Sequence, residues 1–591
     1  MDPILGIDLG TTNSVVSIIK DGKPEVLCDE MGQGILPSVV GLDAEGRLLV
    51  GQEARNQALV APERTVKSIK RKMGEEGQVQ MAGNRYSPQE ISAMILRTLK
   101  ERAAKALGRP CTKAVITVPA FFGENQREAT RQAGEMAGLE VVRIINEPTA
   151  ASLVYEPHSQ KNERLLVYDL GGGTFDVSIV QMEQGVVEVL ASYGDTHLGG
   201  DDFDELLLDY VCDAFAKEHG VDLREIPTAR SRMLQAVEEA KKRLSFEAYT
   251  TIAEEFIAEK AGKPLHVNMV IDREDYEELI EPLLKKTLNS VDAALDDARL
   301  SAGQIDRVLL VGGSTRTPLV HQLLAEQLHQ QLHSEIDPDQ CVALGAAVQG
   351  GLIAGVDVGP VLVDITPHTL GIRILGELHG MVSNQVFSPV IERNTALPAV
   401  RSEIYCTACD GQEVVQIDVY QGESEDVRLN QQVGSFRLEG LDEEAEQGNE
   451  ILVRFQLDLD GILTVTAVER RTGLEKQLRI DNAVTRFRAK SQAEAKAKLA
   501  AMFCDSDAEA FVDHSITDRP QEVDPNRELF DETGELIAKA RRLMQEAAAE
   551  DAAEMQKLAG ELQEAVSRGD ADGVRDIREQ LDDLVFYLQD A

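Results

Sequence analysis

Asp8 and Asp169 each close a short aliphatic run and open a turn made of glycine and threonine, in "GIDLGTTNS" and "DLGGGTFDVS". Such a turn leaves backbone N–H groups free to face phosphate oxygens. A carboxylate at the strand end suits hydrated Mg2+, which keeps several waters and takes one or two carboxylates beside the phosphates. One such turn alone reads more simply as a hairpin connection. Two matched copies, 161 residues apart, favour a magnesium triphosphate held between them. Neither copy is a P-loop, since G-x-x-x-x-G-K-[ST] does not occur in the chain, and HExxH and GxSxG are also missing.

The elements that must position these turns follow from the surrounding pattern. "ILGIDLGTTNSVVSIIKDGKPEVL" from Ile4 and "LLVYDLGGGTFDVSIVQMEQGVVEVL" from Leu165 both read as strand, turn, strand, turn, strand. The repeat predicts two lobes on one plan, facing each other across a cleft. A third glycine turn, "VLLVGGSTRTP" from Val308, again follows a buried strand and precedes a helical pattern, and is expected to close the same cleft. Through residue 358 strands alternate with long amphipathic helices, which means α/β. "GPVLVDITP" then reads as an extended connector over 359–366. Period-2 segments such as "VVQIDVYQGE" and "EILVRFQLDLDG" predict an all-β sandwich over 367–486. Residues 487–591 turn helical and charged, with Asp524-Pro525 and Gly569-Asp570 as helix-start signals, and predict a small bundle.

Bulk properties bound the partners. A chain of 591 residues exceeds the roughly 250–300 that one core supports. Sixty Lys and Arg against 102 Asp and Glu leave a net charge of −42, which repels nucleic acid at long range but does not prevent local neutralisation of one nucleotide. No run approaches the ~18 apolar residues of a membrane span, and the N-terminus lacks the pattern of a secretory signal. Seven scattered cysteines fit a reducing cytoplasm; the close pair Cys406 and Cys409 lacks the further ligands of a zinc site.

"GIDLGTTNS", "VPAFFGENQREAT", "INEPTAASLVY", "DLGGGTFDVS", "GDTHLGGDDFD", "VGGSTR" and "DPDQCVALGAAVQGG" occur in order. Together they resemble the seventy-kilodalton heat-shock chaperone family of the DnaK type, from residue 4 to about 485. "SNQVFSPVIERNTALP" and the short C-terminal region are closer to the HscC-type branch. The resemblance implies actin-like, ribonuclease H-like lobes, a β-sandwich peptide-binding domain and a helical lid. It also implies ATP or ADP with Mg2+, with K+ a further candidate.

Carried over by motif, the first phosphate loop is Asp8, Thr11, Thr12 and Asn13, and the second is Asp169, Gly171, Gly172, Thr174 and Asp176. Asp8 and Asp169 would hold magnesium through water. Lys70 matches the catalytic lysine, although beside Lys67, Arg71 and Lys72 it reads on its own as a solvated basic face. Glu147 matches a ligand of magnesium and water, although Glu147-Pro148 alone reads as a helix start. Gly199, Gly200, Asp201, Glu238, Lys241, Ser245, Gly312, Gly313, Ser314, Arg316 and Asp339 match phosphate and adenosine contacts. Lys242 stands where many relatives have arginine, which weakens the expected stacking on adenine.

Pro119 and Arg127 match a switch that relays the nucleotide state, against the simpler view of Pro119 as a strand terminator. Ile372, Ile374, Leu375, Tyr405, Ala408, Val415 and Ile417 match a peptide channel, with Leu375 and Ala408 arching over the peptide and Val415 flooring a pocket. Without the resemblance, alternating apolar residues are sandwich core. Arg143, Asn146 and Asp364 match the surface that receives a J-domain co-chaperone, and a nucleotide exchange factor is a further implied partner. Neither nucleic acid nor membrane is expected.

The function so implied is an ATPase whose nucleotide state controls binding and release of extended hydrophobic polypeptide. Two other readings stay open on sequence alone: an actin-like or sugar-kinase-like phosphotransferase, and a nucleotide-gated, client-specific binding protein with little hydrolysis. The β module beyond residue 365 discriminates against the kinase.

Overall fold

The aliphatic runs that open the chain form a hairpin-rich sheet. In the computed structural model, which describes residues 3–479 apart from 76, 156–161, 184, 330–331, 333–336, 357, 359, 443–444 and 446, together with 557–558, β1 is Ile4–Leu9, β2 Asn13–Lys20 and β3 Lys23–Val26. β4 (Lys113–Val118) and β5 (Glu140–Asn146) join in parallel on the other side of β1, giving the order β5-β4-β1-β2-β3. β6 (Glu163–Leu170), β7 (Phe175–Glu183) and β8 (Val186–Asp195) repeat the meander, with β9 (Arg307–Val311) parallel to β6. Asp8 lies opposite Val15 and Asp169 opposite Asp176, each near the end of a strand flanked by one parallel and one antiparallel neighbour. The sequence echo is therefore a repeat of topology as well as of residues.

Helices cover these sheets for local reasons. Ser87 and Glu90 form a reciprocal capping box at the start of the helix Pro88–Leu107, and Gly108 ends it at φ 65°. The two helices at the floor of the cleft, Glu147–Val154 and Cys341–Ile353, approach closely because glycine permits it. A Cβ on Gly345 would lie 1.7 Å from the Ala150 carbonyl oxygen, so no larger residue fits without moving backbone. Apolar side chains of β1, β4 and the helix Pro88–Leu107 form one core, and those of β6, β7 and the helix Arg273–Asp297 form another.

Beyond the lobes, the connector is a strand. β10 (Val361–Val363) pairs in parallel with Val186–Glu188, extending the second sheet at its β8 edge. Eight further strands make two four-stranded sheets. One orders β12 (Met381–Ile391), β11 (Leu370–Leu378), β14 (Val414–Gln421) and β15 (Gln431–Glu439); the other orders β13 (Ala399–Cys406), β16 (Glu450–Leu457), β17 (Leu463–Glu469) and β18 (Glu475–Arg479). Leu370, Val419, Phe455 and Val465 are among the side chains buried between them, the alternation expected of a sandwich. The protein is thus two α/β lobes followed by a β-sandwich. The helical region expected over 487–591 lies outside the described residues, apart from 557–558. No described helix is long and apolar enough to cross a membrane.

Candidate functional site: a nucleotide cleft joined to the β module

The glycine turns at Gly171 and Gly312 meet the helix start at Gly200. Gly200 N–H donates to the Gly171 carbonyl at 3.0 Å, Asp201 N–H to Gly172 at 2.7 Å, and the Ser314 hydroxyl to Gly171 at 2.9 Å. They surround a cavity of about 420 Å3. Its lining includes Asp8, Thr11, Thr12, Asn13, Lys70, Glu147, Asp169, Gly171, Gly172, Thr174, Asp201, Glu238, Lys241, Ser245, Gly312, Gly313, Ser314, Arg316 and Asp339. Three residues matched to the nucleotide site stand behind it. Asp176 accepts the Phe121 N–H at 2.9 Å, Gly199 N–H donates to Asp202 at 2.8 Å, and the Gly200 carbonyl accepts from Lys241 at 2.9 Å. Close packing explains the glycines: a Cβ on Gly172 would lie 1.9 Å from Thr12 Oγ1, and one on Gly312 2.4 Å from the Leu170 carbonyl.

Lys70 is not on a solvated basic face. It is 3% exposed, sits in a short 3-10 turn Ile69–Lys72, and donates to Glu147 Oε1, with the Phe122 ring 5.9 Å from its ammonium. Lone-sequence reasoning failed here because the turn, not helical or strand periodicity, aims one lysine inward. Around it, four carboxylates crowd. Burial, and then the Glu147 charge, push Asp8 up to about 7 and Asp176 likewise to about 7; burial and the same neighbour hold Asp169 well above the usual carboxylate range. Lys70 opposes all three shifts.

These groups fit a magnesium-bound polyphosphate. Thr12 Oγ1 is buried without a hydrogen-bond partner, an orphan that a phosphate oxygen would satisfy. Excess buried carboxylate is what a divalent cation offsets.

A chain of hydrogen bonds runs beside this cleft, through Asn146, which precedes the lining residue Glu147. Pro119 opens the turn that carries Phe122, its carbonyl accepting the Phe122 N–H at 3.2 Å. Arg127 donates to the Ala120 and Phe122 carbonyls, both at 3.1 Å, and to Asn146 Oδ1 at 2.6 Å. Asn146 in turn donates to both carboxylate oxygens of Asp364 at 2.9 Å, at the end of β10. Asn146 is buried and Arg143 is part-exposed. The β module touches the same lobe: Arg131 pairs with Asp460, whose Oδ1 also accepts the Ile144 N–H at 3.0 Å, and His368 Nε2 lies 3.1 Å from the Phe121 carbonyl. Arg393 and Asn394 reach Asp297 at 2.6 and 3.1 Å. Arg127, Asn146 and Asp364 were singled out in the sequence; Arg131, Asp460, His368, Arg393, Asn394 and Asp297 were not, since single polar residues carry no signal of what they dock against.

Of the residues matched to a peptide channel, Leu375 is 61% exposed and Ala408 is exposed. Ile374, Tyr405 and Val415 are partly buried against the sandwich core, with the Tyr405 hydroxyl 3.0 Å from Ser388 Oγ. Ile372 and Ile417 are buried within that core, so in this arrangement they present no surface.

Glu124 gives the interface a pH dependence. Its Oε2 accepts the Leu463 N–H at 3.2 Å, and burial pushes the carboxyl up to about 8, with Asp458 and Glu128 adding to the rise and Arg127 opposing it. A raised carboxyl favours the docked arrangement fully below its ordinary value of 4.5, and that contribution is lost as pH rises through about 8. His368, pushed down to about 4 chiefly by burial, acts oppositely, losing its contribution as pH falls from 6.5 through about 4. Glu124→Gln is therefore expected to remove the loss of docking as pH rises from 4.5 through about 8, read as protection of 361–364 in hydrogen exchange. An unchanged alkaline limb would refute the assignment.

Paired lobes closing on a crowded carboxylate cleft, wired by hydrogen bonds to a sandwich, define a nucleotide-hydrolysing enzyme with an attached binding module. Comparison with known proteins makes this specific. The family model described as Hsp70 protein matches residues 4–590. Over 482 residues the chain is 46% identical to proteins named Chaperone protein DnaK from Thermotoga petrophila, Thermotoga sp. (strain RQ2) and Thermotoga maritima, covering 80% of this chain and 80% of each relative. The chain belongs to the Hsp70 family, and it is an ATP-dependent chaperone and an ATPase.

Proposed function

We propose that ATP binding and hydrolysis in the cleft control, through Asn146 and Asp364, how the β module holds and releases extended hydrophobic segments of unfolded polypeptide. The observation that carries this reading is the continuous path Arg127–Asn146–Asp364, which ends on the connector strand. Bound magnesium nucleotide supplies an electrophilic phosphorus and a diphosphate leaving group. Asp8 and Asp169 hold the hydrated cation, Lys70 and Glu147 orient the attacking water, and Thr174, buried behind Gly171, keeps the second loop in place. Thr11, Thr12, Asn13, Gly171, Gly172, Asp201, Gly312 and Gly313 cradle the phosphates, and Glu238, Lys241, Ser245, Ser314, Arg316 and Asp339 the nucleoside. K+ is a further cation for this crowded site.

In this reading residues 1–358 are an actin-like ATPase domain, 359–366 the linker, 367–486 the peptide-binding domain and 487–591 a helical lid. Backbone hydrogen bonds to an extended chain give breadth, and a pocket floored by Val415 selects an aliphatic side chain. A J-domain co-chaperone engages the surface near Arg143 and Asp364, an exchange factor resets the nucleotide, and the protein assists folding and the stress response in the cytoplasm. The β-sandwich disfavours the kinase alternative, for which it has no use.

Steady-state ATPase with and without an extended hydrophobic peptide tests the proposal. Wild type is expected to hydrolyse ATP faster with peptide, and Thr174→Ala to lose the stimulation. Indifference of wild type to peptide would overturn it.

A further inference from the structure

The cleft is polar at its phosphate end and carries an unassigned aromatic at the other. Phe246 follows the helix Pro227–Leu244, lines the cavity, and is 77% exposed. Aromatics are only 4% of this chain and Trp is absent, so a ring left open to water at a ligand site calls for a reason. Its backbone is fixed: Phe246 N–H donates to the Arg243 carbonyl at 2.9 Å, and Ser245 N–H to Lys242 at 3.3 Å.

The cations nearby are ion-paired to carboxylates. Lys242 Nζ is 2.8 Å from Glu238 and 3.3 Å from Glu239, so its ammonium is directed at carboxylates. Glu238 is further tied to Arg55 at 2.8 Å. Arg316, which also lines the cavity, is held by Asp339 at 2.7 Å. A triphosphate at Asp8, Lys70 and Asp169 leaves for the rest of the ligand the part of the same cavity lined by Lys242, Ser245, Phe246 and Arg316, where Phe246 offers a flat apolar surface.

We propose that Phe246 is the base platform of the site: its ring stacks on the purine of the bound nucleotide, a role that rests on the nucleotide reading above. Stacking on an aromatic face is tolerant of base identity, because every base has a π-face. Phe246 therefore adds affinity for adenine and guanine nucleotides alike, and selection between them comes from polar groups elsewhere in the cavity.

The full chain is titrated calorimetrically with Mg-ADP, Mg-GDP and magnesium tripolyphosphate, as wild type, Phe246→Ser and Phe246→Tyr. Serine is expected to weaken both nucleotides about tenfold, within the range of base–aromatic stacking, and tyrosine to retain their affinity. Tripolyphosphate, which has no base, binds all three proteins equally, which also shows that the variants are folded. Unchanged ADP affinity in Phe246→Ser, or an equal loss for tripolyphosphate, overturns the proposal. A wild type that binds tripolyphosphate and neither nucleotide removes the base platform while leaving the phosphate site intact; binding of none of the three removes the nucleotide reading itself.

Discussion

Lys70→Ala is expected to slow single-turnover ATP hydrolysis by about 10²–10³-fold, the usual loss when one preorganised electrostatic group is removed from where charge develops. Lys70 is 3% exposed and its ammonium is bonded to Glu147, among carboxylates that burial and mutual repulsion have driven towards protonation. Water screens such a group little, so its removal is felt nearly in full. The loss leaves Glu147 buried without its cation, which costs stability in the nucleotide-free protein, because breaking one side of a buried pair strands the other charge. Thermal unfolding with and without Mg-ADP separates the two effects: the variant melts lower alone and regains much of the difference when the cation neutralises the cluster. Hydrolysis at the wild-type rate would remove Lys70 from the catalytic groups.

Asp460→Ala is expected to uncouple the modules. Asp460 lies in a turn that Asp458 fixes by accepting the Asp460 and Ile462 N–H groups, both at 2.9 Å. Its carboxylate reaches both Arg131 and the Ile144 N–H, two residues before Asn146. Coupling between sites is ordinarily worth about 5- to 150-fold in affinity. The acceleration of peptide release by ATP is expected to fall by a factor within that range, measured as dissociation of a fluorescent peptide from the full chain with ATP against ADP. Arg131→Asp combined with Asp460→Arg is expected to restore part of it, which a purely structural turn residue would not do. Wild-type acceleration in Asp460→Ala would show that docking does not depend on this pair.

The lobes were legible because their signal is local: aliphatic strands of four to ten residues, glycine turns at fixed offsets, and helices with caps such as Ser87 and Glu90. The cleft was legible because the same acidic turn occurs twice. What stayed hidden is long-range. Lys70 sits in a run of basic residues, and nothing in the run says which of them turns inward. Asp204, which receives Lys241 at 2.7 Å and lines the cavity, reads in sequence as one more acidic residue on a charged helix. Phe246 had a weak signal, an aromatic directly after a helix end in a chain poor in aromatics. Ile372 and Ile417 show the converse: alternation identifies the pleat, but which face is core and which meets a ligand depends on the other sheet.

The parallel pairing of Val361–Val363 with Val186–Glu188 makes the tether a ruler. A loose linker tolerates an added residue at almost no cost. Here one extra residue would slide the carboxylate of Asp364 past Asn146 by a strand step of ~3.3 Å and turn Leu362 to the opposite side of the sheet. The distance from cleft to sandwich is thus counted out in peptide units, and chain length itself belongs to the signalling apparatus.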